Sequence, residues 1–385
     1  MRPIFNLMTM KDHGNLKTGN PRVVLSVTND VYADHRVHKM ARTLHESGFD
    51  VLILGKRSKQ AVSNPDYARI KRISVIFKKR ILFYAEFNIR LFFYLLVCRA
   101  DIFTANDLDT LPASALAAIF RRKKLVYDSH EYFTQSPEIL HKPFVIMLWS
   151  RLERICIRYI DQGITVSPSI AREYQSIYNK GFIVVRNVPE RNRFIPTIDL
   201  PDFMQHSRII LYQGSLNLGR GLEMAIDSMQ YLEDCILVII GSGDIEKELK
   251  TQVDRLDLGR KVFFTGRVNY LVLPAYTKKA LMGLSVEEAL GKNYEYALPN
   301  KLFDYMHANV PAIITNLPEM RAIVEKYKVG KILVNNDARE LARLISYMMA
   351  DQQLLDTLKQ NCKKASDELC WEKESELVKK IYINL

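Results

Sequence analysis

The sequence has few cysteines, and their spacing fits neither a zinc site nor a redox pair. Five cysteines are scattered through 385 residues, at positions 98, 156, 235, 362 and 370. No two of them form a Cys-x-x-Cys motif, the spacing that is typical of zinc ribbons and thioredoxin-like proteins. We therefore expect reduced and mostly buried thiols, as in a cytoplasmic protein, rather than disulfides or metal ligands.

The sequence also lacks an apolar run long enough to cross a bilayer. Its most lipid-like segment, 81–97 (ILFYAEFNIRLFFYLLV), is interrupted near its centre by Glu86, Asn88 and Arg90. A membrane-spanning helix needs about 20 predominantly apolar residues. The apolar part of the N-terminal stretch is too short for the core of a signal peptide. We predict no transmembrane helix, and a flexible leader over residues 1–21.

Two ligand motifs are absent as well. No Gly-x-Gly-x-x-Gly follows the first predicted strand, 22–28, which argues against a nicotinamide or flavin dinucleotide site there. We find no Asp-x-Asp motif in a loop suited to a metal. The formal net charge of +12 leaves three classes of partner open: nucleic acid, an anionic membrane surface and an anionic small substrate.

Strand and helix patterns alternate along most of the chain. The strands are continuous apolar runs, which is typical of parallel sheets covered on both faces. Residues 190–207 break the alternation, because they are polar, contain two prolines and show no period. The pattern predicts an α/β fold of two tandem Rossmann-like, doubly wound domains with a cleft between them. We place the first domain at 22–192, the linker at 193–207, the second domain at 208–365, and a C-terminal helix, 366–385, back on the first domain.

The stretch 293–311 (NYEYALPNKLFDYMHANVP) places a cation at the entrance of a predicted helix and an acid one turn inside it. Pro299 fits the first turn, where its missing N–H is not needed. The free amides of Lys301 and Leu302, together with the helix dipole, favour an anion. Asp304 either complements that dipole or accepts hydrogen bonds from a ribose diol. We predict a pyrophosphate at the helix entrance and a ribose on Asp304.

Glycine-rich loops follow two strands of the second domain. Strand 208–214 ends in YQGSLNLGRGLEM, and strand 235–241 ends in GSGD. The guanidinium of Arg220, flanked by glycines that permit sharp turns, matches phosphate oxygens in geometry. The alternatives are an arginine in a flexible surface loop and a simple tight turn.

Polar residues also follow the strands of the first domain. His130 ends strand 124–130 and would face the cleft, or else would be a hydrogen-bonded structural histidine. Acids and an amide follow the neighbouring strands, where they could bind a polar substrate or cap the next helix. These acceptor-side candidates are Asn29, Asp30, Asp107 and Asp109.

A basic, aromatic stretch covers residues 69–96. It suggests either a helix that packs on the sheet with a solvated basic end, or docking on an anionic bilayer. Its basic residues are Lys71, Arg72, Lys78, Lys79 and Arg80.

Taken in order, several of these segments resemble the retaining glycosyltransferases of family 4, which have the two-domain GT-B architecture. The similar segments are ANDLDTLPA, LVYDSHEYF, ITVS, VVRNVP, YQGSLNLGRGLE, LVIIGSGD, VFFTGRV, LPNKLFDYM and WEKES. The resemblance implies that Arg220 and Lys301 hold the donor's diphosphate. It also implies that Asp304, the second acid of the family's Glu-x7-Glu motif, holds the ribose, and that His130 touches the donor sugar near the reacting carbon.

The resemblance further implies contacts for the rest of the donor. Arg267 and Val268 would meet the nucleotide base, and further donor contacts would come from Gly214, Ser215, Gly241, Asn300 and Leu302.

Two positions depart from the family pattern. Tyr296 stands where the motif expects its first glutamate, and Ser215 stands where many members have a basic residue. Three nearby acids could replace the missing one, and the sequence does not choose among Glu287, Glu288 and Glu295. Asn293 and Tyr294 are expected to line the sugar pocket instead.

The resemblance implies transfer of a sugar from a UDP- or GDP-linked donor to a hydroxyl of a glycan or lipid-linked acceptor, with retention of configuration. We expect no cofactor, no metal and no nucleic-acid partner. We also expect a cytoplasmic location, with peripheral attachment to the inner face of the plasma membrane as an open alternative. The competing hypotheses are a nucleotide-sugar epimerase or phosphorylase of similar architecture, and a basic nucleic-acid-binding protein.

Overall fold

A computed structural model describes residues 19–57, 64–77, 80–191, 195–205 and 208–385. Residues 1–18 of the predicted leader lie outside the described residues, as do Lys78, Lys79 and parts of the predicted linker.

The described strands form two parallel sheets. The strands of the first sheet are β1 (Arg22–Ser26), β2 (Asp50–Lys56), β3 (Arg69–Ile73), β4 (Ile102–Asn106), β5 (Lys124–Ser129), β6 (Gln162–Thr165) and β7 (Phe182–Val184). Those of the second sheet are β8 (Arg208–Gln213), β9 (Cys235–Ile240), β10 (Val262–Gly266), β11 (Met282–Ser285), β12 (Ala312–Thr315) and β13 (Gly330–Leu333).

The strand order is that of a doubly wound fold in both sheets. It is β3-β2-β1-β4-β5-β6-β7 in the first sheet and β10-β9-β8-β11-β12-β13 in the second. Val24 of β1, for example, pairs in parallel with Leu52 on one side and with Phe103 on the other. The predicted pair of doubly wound domains is confirmed. The strand order reverses between β1 and β4, and again between β8 and β11, and such switch points are where ligands bind in these sheets.

Helices cover the faces of both sheets. The helices of the first domain are α1 (His35–Glu46), α2 (Arg80–Val97), α3 (Leu111–Arg121), α4 (Pro137–Leu140), α5 (Pro143–Cys156) and α6 (Pro168–Tyr178). The later helices are α7 (Leu222–Ser228), α8 (Glu246–Arg255), α9 (Leu273–Thr277), α10 (Lys292–Glu295), α11 (Asn300–His307), α12 (Pro318–Tyr327), α13 (Ala338–Ala350), α14 (Gln352–Glu368) and α15 (Trp371–Ile383).

Helix α1 shows how the sequence sets an element. Asp34 caps its N-terminus, because the carboxylate accepts a hydrogen bond from the amide of Val37. The helix ends at Glu46, Ser47 is its C-cap, and Gly48 follows with a φ of 90°. The residues at helical spacing on one side are buried against the sheet: Val37, Met40, Ala41 and Leu44.

The sequence pattern missed one strand of the first sheet. Lys71 and Arg72, predicted to precede a helix, lie in the edge strand β3, which among the described strands pairs only with β2. An edge strand has one unpaired side, and charged side chains are common there because they discourage pairing with other chains. The apolar pattern of 141–161 favours one long helix, but α5 ends at Cys156, where a 3₁₀ turn at Ile157–Tyr159 follows it.

The last helix packs on the first domain. Trp371 donates a hydrogen bond from Nε1 to Oγ1 of Thr43 at 3.0 Å, and the hydroxyl of Tyr382 lies 2.8 Å from that of Thr104. Trp371, Val378 and Tyr382 share a buried apolar cluster with residues of β1 and α1. The chain therefore passes between the domains a second time just before α15. The exact limits of the two domains stay a prediction.

All five cysteines are free thiols; four are buried and Cys98 is half-buried. Within the described ranges, no helix combines the length and the apolar character that a bilayer span requires.

Candidate active site

A cleft of about 710 Å³ separates the two domains and is lined by both. Loops that follow β1, β4 and β5 form its wall in the first domain. The loop after β8, together with the entrance of α11, forms its wall in the second domain. The cleft therefore joins the two switch points, where parallel sheets bind their ligands.

The cleft brings together most of the residues that the sequence predicted. The predicted site residues that line it are Asn29, Asp30, Asp107, His130, Gly214, Ser215, Arg220, Asn293, Tyr294, Asn300, Lys301 and Asp304. Five others lie outside its lining: Asp109, Gly241, Arg267, Val268 and Leu302.

In the second domain, two cations surround one buried acid. Nζ of Lys301 lies 2.8 Å from Oε1 of Glu287, and Nη1 of Arg220 lies 3.8 Å from the same oxygen. Glu287 is fully buried, and the hydroxyl of Ser285 donates a hydrogen bond to its other oxygen at 2.8 Å. Two positive charges therefore flank one negative charge, which leaves the group with a net charge of +1.

The cations keep Glu287 ionised. Burial by itself would raise the pKa of Glu287, but the charges of Lys301 and Arg220 outweigh burial and lower that pKa below its usual value. Among the described residues, Nζ of Lys301 and Nε of Arg220 are buried and make no hydrogen bond of good geometry. Buried donors of this kind suit an anion delivered by a ligand.

Aromatic rings hold the two cations in place. The Lys301 ammonium lies 3.9 Å from the centre of the Tyr212 ring, and the Arg220 guanidinium lies 4.5 Å from that of Tyr294. Both distances are within the range of cation–π attraction.

Two glycines let the backbone approach this group. Gly214 has a φ of 142° and Gly241 a φ of 147°, values that side chains disfavour. A Cβ on Gly241 would clash with the carbonyl oxygen of Gly214, while a Cβ on Gly214 would touch the Lys301 side chain at 3.5 Å. Gly241 therefore packs against the backbone of Gly214 and does not itself line the cleft.

The entrance of α11 differs in detail from the prediction. Pro299 is the N-cap rather than a first-turn residue, and no side chain caps the helix. The amide of Leu302 donates to the carbonyl of Pro299 at 3.1 Å, and its side chain is fully buried in the core. The sequence predicted that the amide of Leu302 would be free for a ligand. That prediction is wrong, because the amide is already hydrogen-bonded within the first turn of the helix. Lys301 supplies the charge at this entrance.

Asp304 is held one turn inside α11 by a chain of hydrogen bonds. Thr277 donates to Oε1 of Gln213 at 2.7 Å, and Nε2 of Gln213 donates to Oδ2 of Asp304 at 3.0 Å. Because the amide of Gln213 is fixed at both ends, the carboxylate has a defined orientation at the cleft wall.

Arg267 and Val268 lie after β10, behind the loop that carries Gly241. Arg267 is exposed and bonds through Nε to the hydroxyl of Ser242, while Val268 packs partly on the core of the second domain. Their predicted contact with a base stays a prediction.

In the first domain, His130 lies between two carboxylates. Its Nδ1 is 3.3 Å from Oδ2 of Asp107, and its Nε2 is 3.1 Å from Oδ2 of Asp128. Burial by itself would lower the pKa of His130, but the two carboxylates outweigh burial and hold that pKa well above its usual value. The two carboxylates therefore favour the protonated imidazole, and both of its ring nitrogens are engaged.

Asp128 is the centre of this group. It is fully buried at the end of β5, and its two oxygens accept hydrogen bonds from Arg36 at 3.1 and 2.7 Å. Burial would raise the pKa of Asp128, but Arg36 and His130 hold it well below its usual value. Sequence reasoning missed Asp128, although an acid inside the apolar strand LVYDS is itself a signal, because a buried acid needs a partner.

Asp109 lies deeper than the sequence suggested. It is almost fully buried and accepts a hydrogen bond from the hydroxyl of Thr28. Burial, assisted by the nearby charge of Asp107, raises the pKa of Asp109 to about 7. The side chain therefore changes its charge near neutral pH.

Asn293, predicted to contact the sugar, also joins the domains. Its side-chain oxygen accepts from the amide of Tyr132 at 2.9 Å, and its Nδ2 donates to the hydroxyl of Ser136 at 3.2 Å. Tyr296 is turned toward Glu173 of the first domain, 3.4 Å away, and does not line the cleft. Of the three acids that could replace the missing glutamate, Glu287 is the one between the cations, and its position directly after β11 was the available signal.

Each domain matches a described protein family. Residues 33–187 match Glycosyltransferase Family 4, and residues 201–365 match Glycosyl transferases group 1. The chain is also similar to the chitobiosyldiphosphodolichol beta-mannosyltransferase of Candida albicans, with 22% identity over 304 residues. That match covers 70% of this chain and 65% of the relative, so the chain spans about two thirds of the relative's length.

Solved structures share the fold over nearly the whole chain. Sucrose-phosphate synthase of Thermosynechococcus elongatus has a TM-score of 0.78 and 16% identity, and the match covers 95% of this chain and 99% of that one. HepE of Anabaena, solved with UDP-glucose, has a TM-score of 0.72 and 14% identity, with 94% and 100% covered. WaaG, a glycosyltransferase involved in lipopolysaccharide biosynthesis, has a TM-score of 0.68 and 12% identity, with 93% and 99% covered.

Proposed function

The chain belongs to glycosyltransferase family 4 and has the GT-B fold, and we propose that it transfers a sugar from a UDP- or GDP-linked donor to a hydroxyl acceptor with retention of anomeric configuration. The donor would bind the second domain and the acceptor the first. The main support is the arrangement of Lys301 and Arg220 around Glu287 at the switch point of the second sheet.

The two cations would act on the leaving group. When the glycosidic bond breaks, negative charge develops on the diphosphate. Lys301, Arg220 and the N-terminus of α11 are already in place at the cleft wall, so little reorganisation is needed as that charge forms. Glu287 would hold both cations in position while the site is empty. With these cations present, we propose that transfer needs neither a metal nor a cofactor.

Asp304 would bind the ribose. Its carboxylate is oriented by Gln213, and it lies on α11 about one helical turn after Lys301. HepE of Anabaena, solved with UDP-glucose, shows that a protein of this fold accommodates such a donor.

His130 would lie beside the donor sugar as a fixed positive charge. Both ring nitrogens already face carboxylates, and the pKa of the imidazole is raised well above its usual value. It therefore fits an electrostatic and positioning role at neutral pH better than the role of a general base.

We propose a lipid-linked acceptor, since the curated relative is named for a diphosphodolichol substrate and WaaG acts in lipopolysaccharide biosynthesis. The first domain also exposes large apolar side chains on three neighbouring helices, α2, α3 and α5, which we call the apolar face. These residues are Leu82, Ile89, Phe93, Val97, Leu116, Ile119, Phe120, Phe144 and Met147. With the basic residues of the same domain, this face fits peripheral binding to an anionic bilayer in the cytoplasm.

Nucleotide sugars screened by thermal shift would identify the donor, because a ligand that binds the folded state raises the melting temperature. The donor found would then be incubated with candidate acceptors, with and without EDTA, and the anomeric configuration of the product read by NMR. We expect a retained configuration and full activity in EDTA. Conversion of the donor without any acceptor would instead indicate an epimerase, and an inverted product would contradict the proposed mechanism.

A further inference from the structure

A second cavity, of about 540 Å³, opens from the cleft into the first domain. Its size is within the usual range for small-molecule sites. Four residues line both cavities: Asn29, Asp30, Asp107 and Glu131. A molecule in the second cavity could therefore reach the cleft past these polar side chains, which makes the cavity suitable for the acceptor.

The two cations of this cavity do not line the cleft. Three acids line both cavities, Asp30, Asp107 and Glu131, whereas Lys56, Arg57 and the buried Asp109 line only the second cavity. Within the described ranges neither cation forms an ion pair. The Lys56 ammonium lies 4.8 Å from the centre of the Phe83 ring, and Arg57 has one long contact, 3.5 Å, with the hydroxyl of Ser74. By contrast, Arg22, Arg36 and Arg69 of the same domain each pair with an aspartate.

The fold places these cations at the carboxyl edge of the sheet. Lys56 is the last residue of β2 and is in register with Ile73, the last residue of β3. The segment after β3 therefore leaves the sheet beside the two cations. Its residues Ile76 and Phe77 are exposed, and both amides donate to Glu86 of α2.

Aromatic and apolar side chains complete the cavity and its surroundings. Phe83, Tyr84 and Phe133 line the cavity itself. Ile81 and Leu82, which directly precede Phe83 on α2, are exposed. The cavity thus combines acids shared with the cleft with an aromatic wall and two cations, and Ile81 and Leu82, which we call the ledge, lie next to it on α2.

We propose that this cavity binds the acceptor, and that Lys56 and Arg57 bind a phosphate or diphosphate attached to the acceptor sugar. This inference rests on the proposed function, because it assigns the acceptor end of the same cleft. Hydroxyl-rich sugar would lie against the acids, which accept hydrogen bonds, and the phosphate against the cations, which donate them. The ledge would receive an apolar tail where the phosphate is lipid-linked.

The test uses farnesyl diphosphate, farnesol and inorganic pyrophosphate as probes, with binding measured by calorimetry on the full chain. Saturating UDP or GDP blocks the donor side. The same titrations are repeated on the Arg220→Ala variant, in which the donor-side anion site is weakened. This second arm shows whether the probes bind the second cavity when no nucleotide is present. We compare wild type with the double variant Lys56→Ala, Arg57→Ala. Arg158→Ala, which removes an exposed cation outside the cavity, is the matched control.

We expect the double variant to bind farnesyl diphosphate at least about tenfold more weakly, because charged hydrogen bonds are lost. Arg158→Ala should bind it as wild type does, and Lys56→Arg should retain most of the affinity. If pyrophosphate binds as tightly as farnesyl diphosphate, the phosphate is carried by a soluble acceptor. If only farnesyl diphosphate binds well, the phosphate of the natural acceptor is lipid-linked.

Unchanged binding of both diphosphates in the double variant would overturn the phosphate site. That failure differs from a failure of the proposed function. In the latter case, no nucleotide sugar would bind or be consumed, whatever the outcome at Lys56 and Arg57.

Discussion

The two switch points of this protein have the same position in the fold and different groups of charged side chains. In the second domain, Lys301 and Arg220 flank the single acid Glu287. In the first domain, three aspartates are grouped with one arginine and one histidine. Asp109, the third aspartate, is almost fully buried, and burial raises its pKa to about 7. Each parallel sheet provides a ligand site at its switch point. The side chains that follow the strands decide which ligand each site can bind.

The comparison explains how one cleft can hold two unlike substrates. An excess of positive charge stabilises a diphosphate, whereas carboxylates would repel it and instead accept hydrogen bonds from sugar hydroxyls. Lys56 and Arg57 line the second cavity but not the cleft, whereas the acids Asp30, Asp107 and Glu131 line both. The predictions below test this division of charge.

Glu287→Gln should have the largest effect, because it leaves two buried cations without their counter-ion. We expect a loss of about 4 kcal/mol in the free energy of unfolding, measured by urea denaturation with Glu248→Gln, at an exposed acid, as control. Adding UDP or GDP should raise the melting temperature of this variant more than that of wild type. An equal rise in both proteins would mean that the cations do not face the diphosphate.

Arg220→Ala and Lys301→Ala should each lower kcat by a factor of about 100 or more, since each removes a charge that stabilises the leaving diphosphate. Steady-state kinetics with a saturating acceptor would measure the effect, and Lys364→Ala, on α14 and away from the cleft, serves as control. Wild-type rates in either variant would refute the assignment of the phosphate site.

Asp109→Asn should change the pH dependence of stability. The pKa of Asp109 is raised from 3.8 to about 7 on folding, so the folded state binds more protons than the unfolded state between about pH 4 and pH 7. Stability from this group therefore falls as pH rises through that range. We expect wild type to lose about 2 to 3 kcal/mol between pH 5 and pH 8 relative to the variant.

Urea denaturation at several pH values would measure this difference, with Asp202→Asn, at an exposed position, as control. If the stability of wild type and of Asp109→Asn changed equally with pH, burial would not raise the pKa of Asp109, and the prediction would be wrong.

The smallest effect is expected at the apolar face, which belongs to the first domain. Phe93 and Phe120 are 58% and 71% exposed on the neighbouring helices α2 and α3. Replacing both with serine should lower co-sedimentation with anionic vesicles severalfold, because buried apolar area contributes to interfacial binding. Val334→Ser, at an exposed position of the second domain, should change nothing, and equal losses in both variants would contradict a specific face.

Much of the fold could be predicted because its signals are local. Each of these signals lies within fewer than about 15 consecutive residues. Examples are the apolar runs of β1, β4 and β5 and the capped amphipathic pattern of α1. The edge strand β3 was missed because its sequence, RIKRI, carries charges that fit a strand paired on one side only. Boundaries such as the end of α5 depend on packing and not on the period alone.

The site could be predicted only in part. Arg220, Lys301 and Asp304 were found because they follow strands or enter a helix, and they do line the cleft. Leu302 was misplaced because the sequence does not show that its amide closes on Pro299. Asn293 was expected in a sugar pocket, and its hydrogen bonds to Tyr132 and Ser136 depend on how the domains meet.

By itself, the sequence determined the two series of strands and helices and which polar residues follow each strand, because these features depend on neighbours in the chain. Tertiary structure alone decided which charges meet. Glu287 joins Arg220 and Lys301, and Asp128 joins Arg36 across 92 positions of sequence, only because of the order in which the strands pair. A buried charge is stable when its partner is near in space, and that distance is set by the sheet and not by the spacing of residues along the chain.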